Sequence, residues 1–351
     1  MPRPGSTPDK RTPRVTLVDV AKAAGVDKAV VSRVVNRDPA LVIRPETRAR
    51  VEAAVADLGY RANPAARSLR TAKAGTIGLV IPDFANPVYA QIISGAESAA
   101  LASGHVLVTG STSGVPSTAA YLELLGHGRV DGLLIAGGAP STKEQRTLDG
   151  LDLPWLLVNR RDSRGHRYLI LDDAHSADVA VSHLVELGHK RIAHIAGPAT
   201  ADTAQRRREG YERAMARHDL PTDAAWIQTC DYTMRGGVEA VIALFAGPHR
   251  PTAIYVANVA AAVGALHQLS AMGIAVPDQV SVVATHDTEL ASHVMPALTT
   301  VRMPLRQLGS HAVELLLGQP REAVIEETLA SDIELVVRES TAPPPASAGL
   351  A

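Results

Sequence analysis

A chain of 351 residues with 46% hydrophobic composition is long enough for two or three domains around a sizeable core. Its apolar runs stop well short of the roughly 18 residues that span a bilayer, and no apolar stretch follows the basic start MPRPGSTPDKRTPR. A membrane protein and a secreted one are therefore excluded, and a cytoplasmic protein is expected. The single Cys230 leaves no partner for an internal disulfide and no multi-cysteine metal site. The net charge of -1 conceals an asymmetry: residues 1–73 hold 15 Lys and Arg against 7 Asp and Glu, a surplus of +8, and the remainder holds 20 against 29, or -9. A basic front that neutralises phosphates and an acidic body that stays off them fit this division.

Residues 1–14 are rich in Pro, Ser and basic groups and are expected to form a disordered arm. The stretch VTLVDVAKAAGVDKAVVSRVVN at 15–36 then predicts two short helices and a tight turn. Thr16 with Asp19 three residues on has the form of a capping box, Gly25 ends the first helix, and Asp27 is placed to cap the second. Val30, Val31, Val34 and Val35 give the second helix an apolar stripe, while Lys28, Ser32, Arg33 and Asn36 stay outside it. Two readings of that outer face stand on these residues: a surface for the major groove of DNA, where Arg donates two bonds to guanine, or a solvated helical hairpin. A third helix begins at Pro45, presents Val51, Ala54, Val55 and Leu58 on one face, and ends at Gly59. Residues 61–74 carry Arg67, Leu69, Arg70 and Lys73 on a segment too short for a stable isolated helix. They read as a hinge helix that forms with support, or as a flexible basic linker.

From Thr76 the pattern changes to short apolar runs alternating with helical stretches. TIGLVIP, HVLVTG, GLLIAGG, PWLLVN, RYLILDD, RIAHIAG, WIQTCDY, AIYVAN and VSVVATHD read as strands. Helices are expected near 88–102, 119–125, 143–148, 177–187, 206–217, 237–245 and 260–272. Such alternation predicts an α/β fold of doubly wound parallel sheets, with ligands outside the carboxyl ends of the strands. Those ends carry Asp83, Phe84, Asn159, Asp172, Asp173, Asn258 and His286. The C-terminal run RESTAPPPASAGLA is Pro-rich without leucine heptads, so a dimer is expected and 341–351 are read as a disordered tail.

At this point the chain resembles the lac repressor and purine repressor family of bacterial transcription regulators. VTLVDVAKAAGV, VVSRVVN, RPETRARVEAA, GYRANPAARSLR, TIGLVIPDFANP, HLVELGHKRIAHIAGP, RRREGY, VPDQVSVV and ALTTVRMP carry the resemblance, in that order, from Val15 to Ser340. It implies a helix-turn-helix head at 15–60, a hinge helix at 61–74 and a two-lobed effector domain at 75–340 similar to periplasmic sugar-binding proteins. Lobe 1 would cover about 75–171 and 303–332, and lobe 2 about 172–302. The resemblance also implies that Thr16, Ser32 and Asn36 hold phosphates, that Lys28, Ala29 and Arg33 face bases, and that Leu69 wedges into the minor groove. In the cleft it assigns ligand contacts to Asp83, Phe84, Asn159, Arg207 and Asn258, and His286 stands where the family often has Asp. That His is either a ligand contact favouring a phosphorylated, acidic or nucleoside-like effector, or a satisfied core histidine. The implied partners are a pseudo-palindromic DNA operator, a small effector (a sugar, sugar phosphate or nucleoside-like molecule) and a second copy of the chain. No cofactor and no metal are expected.

Two rivals share the body. A transport-type sugar receptor lacks a reason for the basic head. An enzyme lacks a motif: GSTSG has Thr112 at the nucleophile position, and no phosphate-loop Lys or His-Glu-x-x-His pair occurs. His183, His189 and His194 have the spacing of metal ligands only if the resemblance is set aside.

Overall fold

The computed structural model describes residues 15–36, 38–60, 73–113, 122, 125, 128–136, 146–148, 150–161, 167–247, 250–330 and 332–345. The chain divides into two compact units, Met1–Ala74 and Gly75–Ala351. Leu69 and the rest of residues 61–72 in the expected hinge helix lie outside the described residues, as do the N-terminal arm and most of the helix expected at 119–125.

In the first unit, α1 (Leu17–Ala24) opens on a reciprocal cap, with the Thr16 side chain accepting from Asp19 N and the Asp19 carboxylate accepting from Thr16 N at 2.8 Å. It closes at Gly25, whose φ of 62° is the left-handed conformation that a residue without a Cβ adopts freely. Asp27 then caps α2 (Lys28–Val35) by accepting from Ala29 N at 2.7 Å. Pro45 begins α3 (Pro45–Asp57), where its missing N–H costs nothing. Val20, Val31, Val34 and Val51 meet in one small buried core.

The second unit holds two six-stranded sheets. The first has the order β11-β5-β4-β3-β1-β2 and is parallel throughout. Its strands are β1 (Thr76–Ile81), β2 (Val106–Ser111), β3 (Gly132–Ile135), β4 (Trp155–Val158), β5 (Arg167–Ile170) and β11 (Ile325–Thr328). The second has the order β12-β10-β9-β8-β6-β7. It contains β6 (Ile192–Ala196), β7 (Ile227–Thr229), β8 (Ala253–Val256), β9 (Ser281–Thr285), β10 (Thr299–Arg302) and β12 (Glu334–Val336), the last antiparallel to β10. Strands such as Ile77–Ile81 and Ile192–Ala196 are buried on both faces because helices cover both sides.

Sheet 1 is covered by α4 (Pro87–Ala102) and α10 (Leu305–Gly318), which touch backbone to backbone: a Cβ on Gly95 would lie 1.9 Å from Arg306 O, and one on Gly309 2.0 Å from Ile92 O. Sheet 2 is flanked by α5 (Asp173–Glu186), α6 (Asp202–Arg217), α7 (Met234–Ala246) and α8 (Val259–Ala271), with the short α9 (Glu289–His293) after β9.

The chain passes between the sheets three times: after β5, after β10, and between β11 and β12. The third passage departs from the sequence expectation, which left residues after 332 in neither lobe. The tail departs too, because the expected disorder at 341 is opposed by side-chain partners. Ser340 is buried, Thr341 Oγ1 meets His183 Nε2 at 3.0 Å, and Ala342 O meets His189 Nε2 at 2.8 Å. A Pro-rich composition announces low helix and sheet propensity, and it does not register such fixed contacts.

His194, in β6, is fully buried and stacked between Tyr255 (4.7 Å between centroids) and Tyr211 (5.1 Å). Burial pushes its pKa down to about 4. In the unfolded chain the value returns to about 6.5, so between these values the unfolded state binds the proton and the folded state does not. The neutral ring's contribution is therefore complete above about pH 6.5 and is lost as pH falls toward 4, at most roughly 3 kcal/mol. The urea midpoint of wild type should fall relative to that of His194→Phe as pH falls through that window; parallel pH profiles would refute the assignment.

Candidate functional site

On the first unit, the outer face of α2 carries Lys28 and Ala29 exposed and Ser32, Arg33 and Asn36 partly so. These positions recur with helical spacing, so one side of one helix presents all five. Thr16 is also exposed, but its hydroxyl donates to the Asp19 carboxylate at 2.7 Å. Asn36 turns its amide back to Ser32 O. Arg33 donates its Nε–H to Asp38 Oδ2 at 2.8 Å, a partner that the sequence reading did not name.

On the second unit a cavity of about 770 Å³ opens between the carboxyl ends of the two sheets. Asp83, Asn159, Asn258 and His286 of the strand-end series line it, joined by Arg207 of α6, which the resemblance assigned. Asp172 and Asp173 do not, the first capping α5 by accepting from His175 N at 2.9 Å. Phe84 does not line it either. It is 59% exposed, because Asp83 Oδ1 accepts from Ala85 N at 2.9 Å and the resulting turn faces Phe84 outward. The walls add residues absent from the sequence assignment, among them Tyr89, Arg160, Asp202 and Tyr232. Tyr232 ends the run WIQTCDY, where a strand is expected, in the same manner as the other strand-end residues, which is the signal that marks it.

The floor is an ion-pair network. Asp173, at the start of α5, has no exposed surface. Arg207 Nε donates to its Oδ1 at 2.8 Å, and Arg206 pairs with its Oδ2. Burial alone would raise the Asp173 pKa, but Arg207 and Arg206 outweigh it and hold the carboxyl below its ordinary range. Arg207 also donates from Nη1 to Ala257 O at 2.7 Å, and its Nη2 lies 3.1 Å from His286 Nε2 and 2.6 Å from Asp173 Oδ1. A guanidinium has five N–H groups, so Arg207 retains about one for a ligand and cannot grip two ligand oxygens as a free fork would. Its principal act is to present its neighbours.

The neighbour it fixes most sharply is His286. Burial and then the Arg207 charge hold this imidazole well below its ordinary pKa, so it is neutral. Because Nε2 faces an arginine N–H, Nε2 accepts and Nδ1 carries the hydrogen. Nδ1 is buried and finds no hydrogen-bond partner among the described residues; Asn159 Oδ1 is in the same condition. Backbone strain coincides with these atoms. Among the described residues four non-glycines have positive φ, and three of them, Asn159, Tyr232 and His286, line the cavity. Strained backbone and orphaned polar atoms gathered at one cleft mark a place prepared for a ligand. Asn258, by contrast, is engaged: Oδ1 caps α8 at Ala261 N (2.9 Å) and Nδ2 donates to Tyr232 O (3.0 Å).

Asp287, next in the chain, links this floor to the passages between sheets. It accepts from Arg302 Nη2 at 2.8 Å and Arg338 Nη2 at 2.7 Å, while its carbonyl accepts from Gln91 of α4 at 3.0 Å. His183, His189 and His194 do not converge: their partners are Thr341, the Thr252–Ser281–Ala342 group and Tyr255 O respectively. Among the described residues no helix is long and apolar enough to cross a membrane.

Residues 16–63 match the family model described as bacterial regulatory proteins, lacI family. Residues 181–341 match the periplasmic binding protein-like domain. The chain is similar to the HTH-type transcriptional repressor PurR of Photobacterium profundum, at 32% identity over 332 residues, covering 93% of this chain and 98% of that protein. It is 33% identical over 315 residues to the ribose operon repressor of Escherichia coli, covering 89% and 95%. Among solved structures, a lac repressor dimer bound to operator and the anti-inducer ONPF matches with 31% identity and a TM-score of 0.83, over 94% of this chain and 99% of that one.

Proposed function

The chain belongs to the lacI family of bacterial regulatory proteins, and from that premise we propose how its two units divide the work of a DNA-binding repressor under small-molecule control. The exposed face of α2 enters the major groove of an operator. Arg33 reads a guanine, Lys28 and Ala29 face the neighbouring bases, and Ser32, Asn36 and Thr16 meet phosphates. Leu69, in the segment joining the units, wedges into the minor groove. The protein acts as a homodimer in the cytoplasm: edge strand β2 exposes Val106 and Val108 beside Leu101 at the end of α4, an apolar strip that a second copy covers. Two-fold symmetry then requires a pseudo-palindromic operator.

The cleft of the second unit binds the effector, a sugar or sugar derivative. The observation that carries this reading is the pair of buried, unpartnered atoms at its floor, a donor at His286 Nδ1 and an acceptor at Asn159 Oδ1. One hydroxyl-bearing molecule satisfies both. Charge on the described lining favours an uncharged ligand, because Asp83, Asp202 and Asp231 balance Arg160, Arg161 and Arg207. Tyr89 and Tyr232 supply aromatic wall for a sugar ring or a base. Binding shifts the balance between two lobe arrangements and with it the affinity for operator.

Thermal-shift measurements with ribose, glucose, adenosine and ribose 5-phosphate test the cleft. A neutral ligand should raise the melting temperature by mass action, with the shift lost in His286→Ala. A response confined to ribose 5-phosphate would reverse the charge assignment.

A further inference from the structure

We propose that Asp38 is a specificity-determining positioning residue that aims Arg33 at the operator. The inference rests on Arg33 reading a base, as set out above, and adds a second residue to that contact. Asp38 is itself held firmly. Its N–H donates to Arg33 O at 3.0 Å, its carbonyl accepts from Leu41 N at 3.1 Å, and Oδ1 accepts from Ala40 N at 2.9 Å. The remaining oxygen, Oδ2, takes the Arg33 Nε–H at 2.8 Å. The carboxylate is thus a fixed fitting at the exit of α2, with one oxygen turned to the backbone and the other to the arginine.

Stability gives this pair little reason to exist. The two side chains are 43% and 32% exposed, a setting in which ion pairs contribute little. Electrostatics argues against it as well, since a carboxylate on a surface that meets phosphates weakens attraction to any duplex. What the pair does supply is direction. An arginine engaged through Nε presents its Nη1 and Nη2 edge outward, the end-on fork that matches O6 and N7 of guanine. Without Asp38 the long side chain swings freely and reaches a phosphate as readily as a base. Asp38 therefore exchanges general affinity for choice.

The test uses the full chain and the symmetric duplex that the wild-type protein enriches from a randomised duplex library, with single base-pair substitutions at each position and a scrambled duplex as reference. Asp38→Ala should lower the preference at one base pair of each half-site by roughly fivefold to tenfold, a fraction of a full bidentate contact. Binding to the scrambled duplex should tighten severalfold as the negative charge leaves. Asp38→Asn, which retains an oxygen for Nε, should restore most of the preference. The affected base pair should be the one that Arg33→Ala erases, and Asp38→Ala should add nothing in an Arg33→Ala background. A merely structural role would instead depress all positions alike and alter the circular dichroism of the helices. The proposal is overturned if Asp38→Ala and Asp38→Asn both keep or sharpen the preference that Arg33→Ala removes. If Arg33→Ala itself keeps the preference, the base-reading assignment is what fails, and the role of Asp38 falls with it.

Discussion

Arg33→Ala is expected to remove most of the choice among duplexes while leaving a salt-sensitive residue of binding. A bidentate contact to guanine discriminates by about 1–3 kcal/mol, and a two-fold dimer makes it twice, so the preference for operator over scrambled duplex should fall by roughly a hundredfold. The general attraction persists because it comes from the other cations of a front that carries 15 Lys and Arg against 7 Asp and Glu. Competition anisotropy at two salt concentrations separates the two effects: the specific component largely disappears, and what remains weakens steeply with salt. An undiminished ranking of duplexes would remove Arg33 from the interface.

The second large effect is expected in the cleft. Arg207→Ala should abolish the effector response and also lower the melting temperature, because it removes the principal partner of a carboxylate that has no exposed surface. Breaking a buried pair on one side costs about 3–5 kcal/mol when the remaining charge is left alone, and because Arg206 still pairs with Asp173 Oδ2 the loss should fall at or below the lower end. Removing both charges in Asp173→Asn with Arg207→Met should recover much of that stability without recovering the response. His286→Ala, which leaves the Asp173–Arg207 pair intact, should lose the response at near wild-type stability. This pattern assigns ligand recognition to the imidazole and support to the guanidinium. A variant lacking Arg207 that melts normally and still answers the effector would refute both roles.

What was legible in the sequence was local or periodic. The Thr16–Asp19 cap, the stop at Gly25, the start at Pro45 and the doubly buried strands all follow from neighbours a few residues apart, and the structure contains each of them. The convergence of Asp83, Asn159, Asn258 and His286 was legible more weakly, as polar residues repeating after apolar runs, and that of Arg207 only through the resemblance. What each atom does there was not. Arg207 and His286 meet across 79 residues, and no spacing rule announces that the arginine is already engaged or that the imidazole is left with an unused N–H. The turn that carries Asp38 back to Arg33 depends on backbone geometry after the helix ends. Helix α10 is a different kind of omission: Leu305, Leu308, Ala312, Val313 and Leu316 repeat at helical spacing, but the alternating series stops at VSVVATHD, so neither this helix nor β10, β11 and β12 is anticipated.

Asp287 gives the second unit a mechanical property that neither sheet has alone. It follows His286 directly, yet its carboxylate clamps Arg302 at the second passage of the chain and Arg338 beyond the third, and its carbonyl reaches Gln91 across the divide. Three tethers restrict the halves to a narrow set of relative movements, and the bracket that ties two of them adjoins the residue proposed above to meet the effector. On that proposal, a shift of the imidazole acts one residue away from the clamp that holds the passages between the sheets, without first passing through the packed interior of either half.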